Sequence, residues 1–160
     1  MRLNPTTDHA VRILIYLSIH EGRPVLSEEV ARAYGTSPAA ITRAMDTLEE
    51  LGLVRAEEGG GGFHMAAAPS EIPLGWLTRN TEAGLPPAEC FEAATCACPI
   101  APACMLKNIF AEARQRFLDT LERYTLEDCL ASPRRQQAFL RMWDRQAGEA
   151  RMGLEAARAT

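Results

Sequence analysis

Lysine is absent from the first 66 residues, where six arginines stand against nine acids, and the whole chain of 160 residues carries a net charge of -4. Nonspecific affinity for nucleic acid comes mainly from neutralising phosphates with Lys and Arg, so this balance excludes indiscriminate binding and confines any DNA contact to a local patch. Long apolar runs are missing as well. The best stretch, Ala10 to Ile19, is interrupted by Arg12, is shorter than a membrane span and has no small-residue cleavage site behind it. The expectation is a cytoplasmic protein with no membrane partner. No nucleophile and base stand at a recognisable spacing, and no phosphate loop lies between a strand and a helix, so an enzyme is not expected. At 47% hydrophobic residues the chain can still bury a core, as one compact domain or a small domain with an extension.

What is present in excess is sulfur in one place. Cys90, Cys96, Cys98 and Cys104, four of the five cysteines, fall within fifteen residues. The segment is short, punctuated by Pro99 and Pro102 and rich in alanine, which cannot make a core, so these thiols read as ligands rather than packing. A reducing cytosol disfavours structural disulfides. Soft thiolates select zinc, copper(I) or iron-sulfur clusters. Structural zinc prefers Cys-x2-Cys knuckles, whereas seven residues intervene between Cys90 and Cys98, five between Cys98 and Cys104 and one between Cys96 and Cys98. An iron-sulfur cluster is the leading expectation, with zinc and a thiol redox switch as alternatives. Cys129 reads as a small buried hydrophobe, and His9, His20 and His64 as ordinary surface or cap residues.

Periodicity organises the rest. Ala10, Val11, Ile13, Leu14 and Leu17 predict a first amphipathic helix ending near Gly22, with Thr6, Thr7 and Asp8 as caps. Ser27 caps a second helix closed by Gly35, and Ser37-Pro38 opens a third at once. In the third, Ile41, Met45, Leu48 and Leu51 face one way while Thr42, Arg43, Asp46 and Glu50 are left free. Leu53 to Arg55 and Phe63 to Met65 flank the glycine tip Gly59 to Gly62 as a hairpin. The order spells a winged helix-turn-helix, whose third helix enters a DNA major groove. Ser70 precedes a short helix, and Leu106, Ile109, Phe110, Ala113, Phe117, Leu121 and Tyr124 stripe a long one that needs a partner, most simply a second copy. Thr125 and Asp128 form a capping box, and Ser132-Pro133 starts a last helix whose final ten or so residues are expected to fray.

The fold class is therefore mainly α: a winged helix-turn-helix with a small β-hairpin wing, a long dimerisation helix and a cysteine-rich cluster-binding loop. The expected domains are 1–68 (DNA binding), 69–104 (short helix and cluster loop), 105–131 (dimerisation helix and turn) and 132–160 (helical extension).

Met1-Arg2-Leu3 with Thr7-Asp8 and Ala10, the winged helix, Cys98-Pro99-Ile100-Ala101-Pro102-Ala103-Cys104, Leu106-Lys107 and Tyr124-Thr125-Leu126-Glu127-Asp128 carry a resemblance. From Met1 to about Ala131 the chain resembles the Rrf-two family of bacterial iron-sulfur regulators. The Pro-x-Ala-Cys loop ending and Asp8 are most similar to its nitric-oxide-sensing repressors. The resemblance implies a homodimer on a palindromic operator in double-stranded DNA, a 4Fe-4S cluster (2Fe-2S being the alternative), and nitric oxide as signal. It implies Cys90, Cys98 and Cys104 as ligands, with Asp8 from the other subunit as the fourth. Cys96 departs from the pattern and could replace Cys90, replace Asp8 or stand idle. The implied DNA contacts are Ser37, Thr42 and Arg43 on the helix, with Arg55, Gly59, Gly60, Gly61 and Gly62 on the wing. Glu58 stands where the family usually carries a wing arginine, and a glutamate there repels phosphate. Two other functions fit these residues: a family member sensing iron, cluster supply or redox state, and a metal or thiol-redox protein that uses its winged helix for protein contacts.

Overall fold

A computed structural model describes residues 3–82, 88–92, 94 and 96–158, with side chains as far as Glu149. Its first helix, α1 (Pro5–Ile19), is the hub on which α2 (Ser27–Tyr34), α3 (Pro38–Glu50), the wing and two later helices pack. Ile13 and Leu14 from α1 and Ile41, Met45 and Leu48 from α3 are fully buried, each contributing on the order of 1.5–3 kcal/mol of apolar burial. The α1 cap is not the expected one. Asn4 holds that place, its side chain accepting the Thr6 N–H at 2.7 Å, because Pro5 with its fixed φ begins the helix; Thr6, Thr7 and Asp8 lie inside the first turn.

Ser27 is likewise the first helical residue rather than a cap, and is buried. Glu29 serves this end instead, accepting the Leu26 N–H at 3.2 Å. Gly35 closes α2 in the left-handed region, at φ 61°. Two residues later Ser37 caps α3, accepting the Ala40 N–H at 3.2 Å. Strands β1 (Val54–Ala56) and β2 (Phe63–Met65) pair antiparallel with Arg55 opposite His64, and Val25 adds two 2.9 Å hydrogen bonds to Phe63. Gly62 makes that approach feasible: at φ 116°, a Cβ there would lie 2.7 Å from the Val25 carbonyl oxygen.

Ser70 falls in a single 3-10 turn, Pro69–Glu71, and the helix α4 (Leu74–Thr81) starts only after Pro73, whose ring suits a helix entrance. The long helix α5 (Met105–Glu122) crosses α4 at Gly75, where a Cβ would meet the Leu118 carbonyl at 2.7 Å and the Glu122 carboxylate. Arg79 and Glu122 tie the same crossing by an ion pair. Only Leu118 of α5 is buried, while Met105, Leu106, Ile109 and Phe110 remain exposed. The capping box of Thr125 with Asp128 opens α6 (Leu126–Leu130), the Thr125 N–H donating to the carboxylate at 2.8 Å.

The last helix, α7 (Pro133–Arg158), runs on through the segment expected to fray. Alanine, arginine and glutamate are strong helix formers, and Gly148 and Gly153 cost only about 1 kcal/mol each. It folds back on its own subunit. Trp143, 8% exposed, packs 4.7 Å from the Tyr16 ring and edge-on to Tyr34 at 5.6 Å, with Phe139 beside it. No described helix is long and apolar enough to cross a membrane.

Gly75→Ala is expected to force α4 and α5 apart and to destabilise the fold by about 1–3 kcal/mol, read as a lower denaturant midpoint. An unchanged midpoint would mean that the crossing tolerates a methyl group.

Candidate functional site

The free face of α3 is built by local rules. Its apolar positions sink into the core, leaving Thr42, Arg43, Asp46 and Glu50 exposed, as their spacing requires. Ser37 is exposed but its hydroxyl is engaged as the cap, and the Thr42 hydroxyl donates to the Pro38 carbonyl at 3.1 Å. Arg43 makes no ion pair among the described residues, so its guanidinium is the strongest free donor on the helix. The N-terminal turn of a 13-residue helix adds a positive dipole end, which favours phosphate.

On the wing, Arg55 and Gly59, Gly60 and Gly61 are exposed, whereas Gly62 is buried against Val25. Gly59 and Gly60 turn the tip in the left-handed region, at φ 80° and 81°. Two acids stand here with different fates. Glu57 packs its stem against Gly61 and reaches across the hairpin to the His64 ring, carboxylate to Nε2 at 2.5 Å. Its carboxylate has a partner within the hairpin, whereas Glu58 is exposed and forms no ion pair among the described residues.

The cysteine loop lies between α4 and α5. Cys90 sits in the 3-10 turn Glu89–Phe91, Cys96 and Cys98 follow in irregular chain, and Cys104 stands at the N-cap of α5, where the free N–H groups favour a negative ligand. All four are half-buried free thiols. Glu89 braces the loop by accepting the Ala97 N–H at 2.7 Å, and the Cys96 N–H donates to the Glu92 carbonyl at 2.9 Å. Among the described residues no three His, Cys, Asp or Glu side chains converge at metal-binding distance. Four soft thiols are the donor chemistry of a thiophilic cluster, and among the described residues they are not drawn round one point. Cys129 is half-buried apart from this loop, and burial pushes its thiol up.

Asp8 projects from the first turn of α1, roughly half exposed, and is held by Arg12 through contacts of 2.7 and 3.2 Å. Beside it, His9 reaches the Thr36 hydroxyl at 3.4 Å, in the turn that leads into α3. Glu82, at the end of α4, accepts both the Thr7 hydroxyl and the Asn4 N–H at 2.7 Å, joining the start of α1 to the element that leads into the cysteine loop. Sequence reasoning missed Glu82 and His9, and treated His64 as ordinary surface. Their partners lie 75, 27 and 7 residues away, and no periodic pattern encodes such pairs.

Comparison with known proteins adds the following. The Rrf2 family, described as an iron-dependent transcriptional regulator, matches residues 3–132. The HTH-type transcriptional regulator NsrR of Halalkalibacterium halodurans is 36% identical over 144 residues, covering 89% of this chain and 99% of that protein. NsrR of Bacillus subtilis is 32% identical over the same shares. Among solved structures, T. potens IscR superposes with a TM-score of 0.63 at 21% identity, covering 82% of this chain and 87% of that one. CymR, the global cysteine regulator of B. subtilis, gives 0.62 at 22% identity, with 82% and 98% covered. The two structural likenesses establish a shared fold. The relatives are named as regulators, not enzymes, in line with the reading of the sequence.

Glu82→Ala strands the buried Thr7 hydroxyl and the Asn4 N–H, and is expected to cost about 1–3 kcal/mol in chemical denaturation. Hydrogen exchange should speed up in the first turn of α1 and not in α3. Uniform exchange across both would refute a local tie.

Proposed function

The chain belongs to the Rrf2 family of transcriptional regulators, and on that premise we propose that it is a dimeric DNA-binding repressor whose iron-sulfur cluster senses nitric oxide. The observation that carries this reading is the placement of four free thiols between α4 and the uncovered apolar helix α5. Relatives named NsrR, alike over most of their length, support the choice of signal.

Cys90, Cys98 and Cys104 would hold the cluster, with Asp8 of the partner subunit as fourth ligand and Cys96 as the alternative; 4Fe-4S is the proposed type and 2Fe-2S the other. Thiols match iron in softness, and a carboxylate is the harder, weaker ligand. When bound, such a cluster supplies iron sites open to nitric oxide, the carboxylate-bound one being the most labile. The residues of the chain do the rest. Arg12 holds the Asp8 carboxylate, Glu82 fixes the helix end that presents it, and His9 links the same turn to Thr36 at the entrance of α3. A second copy laid on the stripe of Leu106, Ile109 and Phe110 would bury exposed apolar surface and set two α3 helices on a palindromic site. Thr42, Arg43 and the Ser37 end of α3 would face the major groove, with Arg55 and the Gly59 to Gly62 wing on the backbone or minor groove. The working division follows 1–68, 69–104, 105–131 and 132–160.

The family description favours a second reading, in which iron or cluster supply is the signal. Anaerobically purified protein should show a broad visible band that bleaches with nitric oxide, together with release of operator DNA in a mobility-shift assay. Cys98→Ser and Cys104→Ser should abolish the band while leaving the helical circular dichroism intact. A chain that stays colourless after reconstitution with iron and sulfide would sink the cluster reading. Release under iron chelation but not under nitric oxide would establish the second.

A further inference from the structure

The extension from Pro133 lies outside the stretch matched by the family, residues 3–132, and its charge is opposite to the rest. Residues 133–160 hold six arginines against three acids, while residues 1–132 hold eleven basic side chains against eighteen acids. The basic excess of this acidic chain is thus concentrated in α7.

This helix is seated on the helix-turn-helix. Phe139, Trp143 and Gln146 recur at helical spacing and form the docked face. Trp143 is locked between Tyr16 and Tyr34, and the Gln146 amide lies 3.0 Å from the Cβ position of Gly35, in the turn before α3. Tyr34 is itself fixed, its hydroxyl donating to the Arg12 carbonyl at 3.2 Å, and burial pushes its phenol up. α7 packs against α2, the first helix of the motif, which in such folds crosses the DNA backbone.

At 3.6 residues per turn, Arg134, Arg141 and Arg145 share the face opposite Trp143. All three are exposed, and none forms an ion pair among the described residues, although Asp144 and Glu149 flank them. Arg135 is different, turned to the carbonyls of Asp128 and Cys129 at 3.4 Å. The row is thus exposed, uncompensated positive charge carried by a helix clamped beside α2, and phosphate is the ligand that such charge favours.

We infer that α7 is an added DNA-backbone element: Arg134, Arg141 and Arg145 bind phosphates flanking the sequence that α3 reads. This rests on the DNA-binding reading above, and the test keeps the two apart. A duplex selected from random sequence by the full-length chain is prepared with long flanks and in a trimmed form. Binding is measured across a salt series for the wild type, the triple variant R134Q/R141Q/R145Q and its lysine counterpart R134K/R141K/R145K. On the flanked duplex the glutamine variant should lose about 0.9 in the log-log salt slope for each phosphate contact removed, and the lysine variant should recover it. On the trimmed duplex the three proteins should coincide, with equal thermal midpoints throughout. Equal slopes for wild type and glutamine variant on the flanked duplex overturn the role of α7 and leave DNA binding standing. Failure of the wild type to select any sequence overturns both.

Discussion

The carboxylate of Glu82 is the constraint on which the candidate site depends. It accepts two hydrogen bonds from the first turn of α1, one from a fully buried threonine hydroxyl, and the Asn4 amide adds a third bond to the Thr81 carbonyl at 3.0 Å. Buried polar groups must be paired, so the start of α1 cannot move without the end of α4. That ties the entrances of three elements together mechanically. Asp8 and His9 leave the same turn, the cysteine loop leaves the end of α4, and α3 is entered through the Thr36 that His9 touches. A shift at the end of α4 is therefore carried by hydrogen bonds to the first turn of α1 and, through His9 and Thr36, to the entrance of α3.

The opposite condition holds on α5. Its crossing with α4 is tight enough to require Gly75, yet the face beyond Leu118 is left bare, with Met105 75% exposed and Phe110 41%. A helix striped with apolar residues over five turns is stable in water only when that stripe is covered. Among the described residues the stripe is uncovered and the thiols share no common centre. Both deficits adjoin, since Cys104 caps α5, and one association would address both.

Much of the fold was legible because its determinants are local. Gly35 as a left-handed stop, Ser37-Pro38 as a cap and first turn, the buried face of α3 and the Thr125–Asp128 box depend on residues within four positions of one another, and the structure has each where the pattern puts it. Helix entrances read from polar residues alone were displaced where a proline or a glutamate took over, as at Asn4-Pro5 and Leu26. The docking of Trp143 was not legible. An aromatic residue in a helical stripe announces burial but not the surface it meets, and Tyr16, His20 and Tyr34 lie more than a hundred residues earlier. The cysteine loop shows the same boundary: adjacency in sequence identified the donors, whereas their convergence depends on groups beyond the loop.

Net charge is a coarse guide to a DNA contact because charge acts locally, and some of the acids are paired within the chain. Asp8 is paired with Arg12 and Glu122 with Arg79, while the Arg23 hydrogen bond holds the Glu29 carboxyl below its usual range. Exposed pairs of this kind add little stability, yet they cancel the field of each acid beyond a few ångströms. Salt screens what remains within about 8 Å at physiological ionic strength. The exposed face of α3 accordingly carries its own local balance, Arg43 and the dipole of the helix start set against Asp46 and Glu50. On this view the acidic balance acts against loose, sequence-blind association, and leaves specific contact to the few places where positive charge is uncompensated.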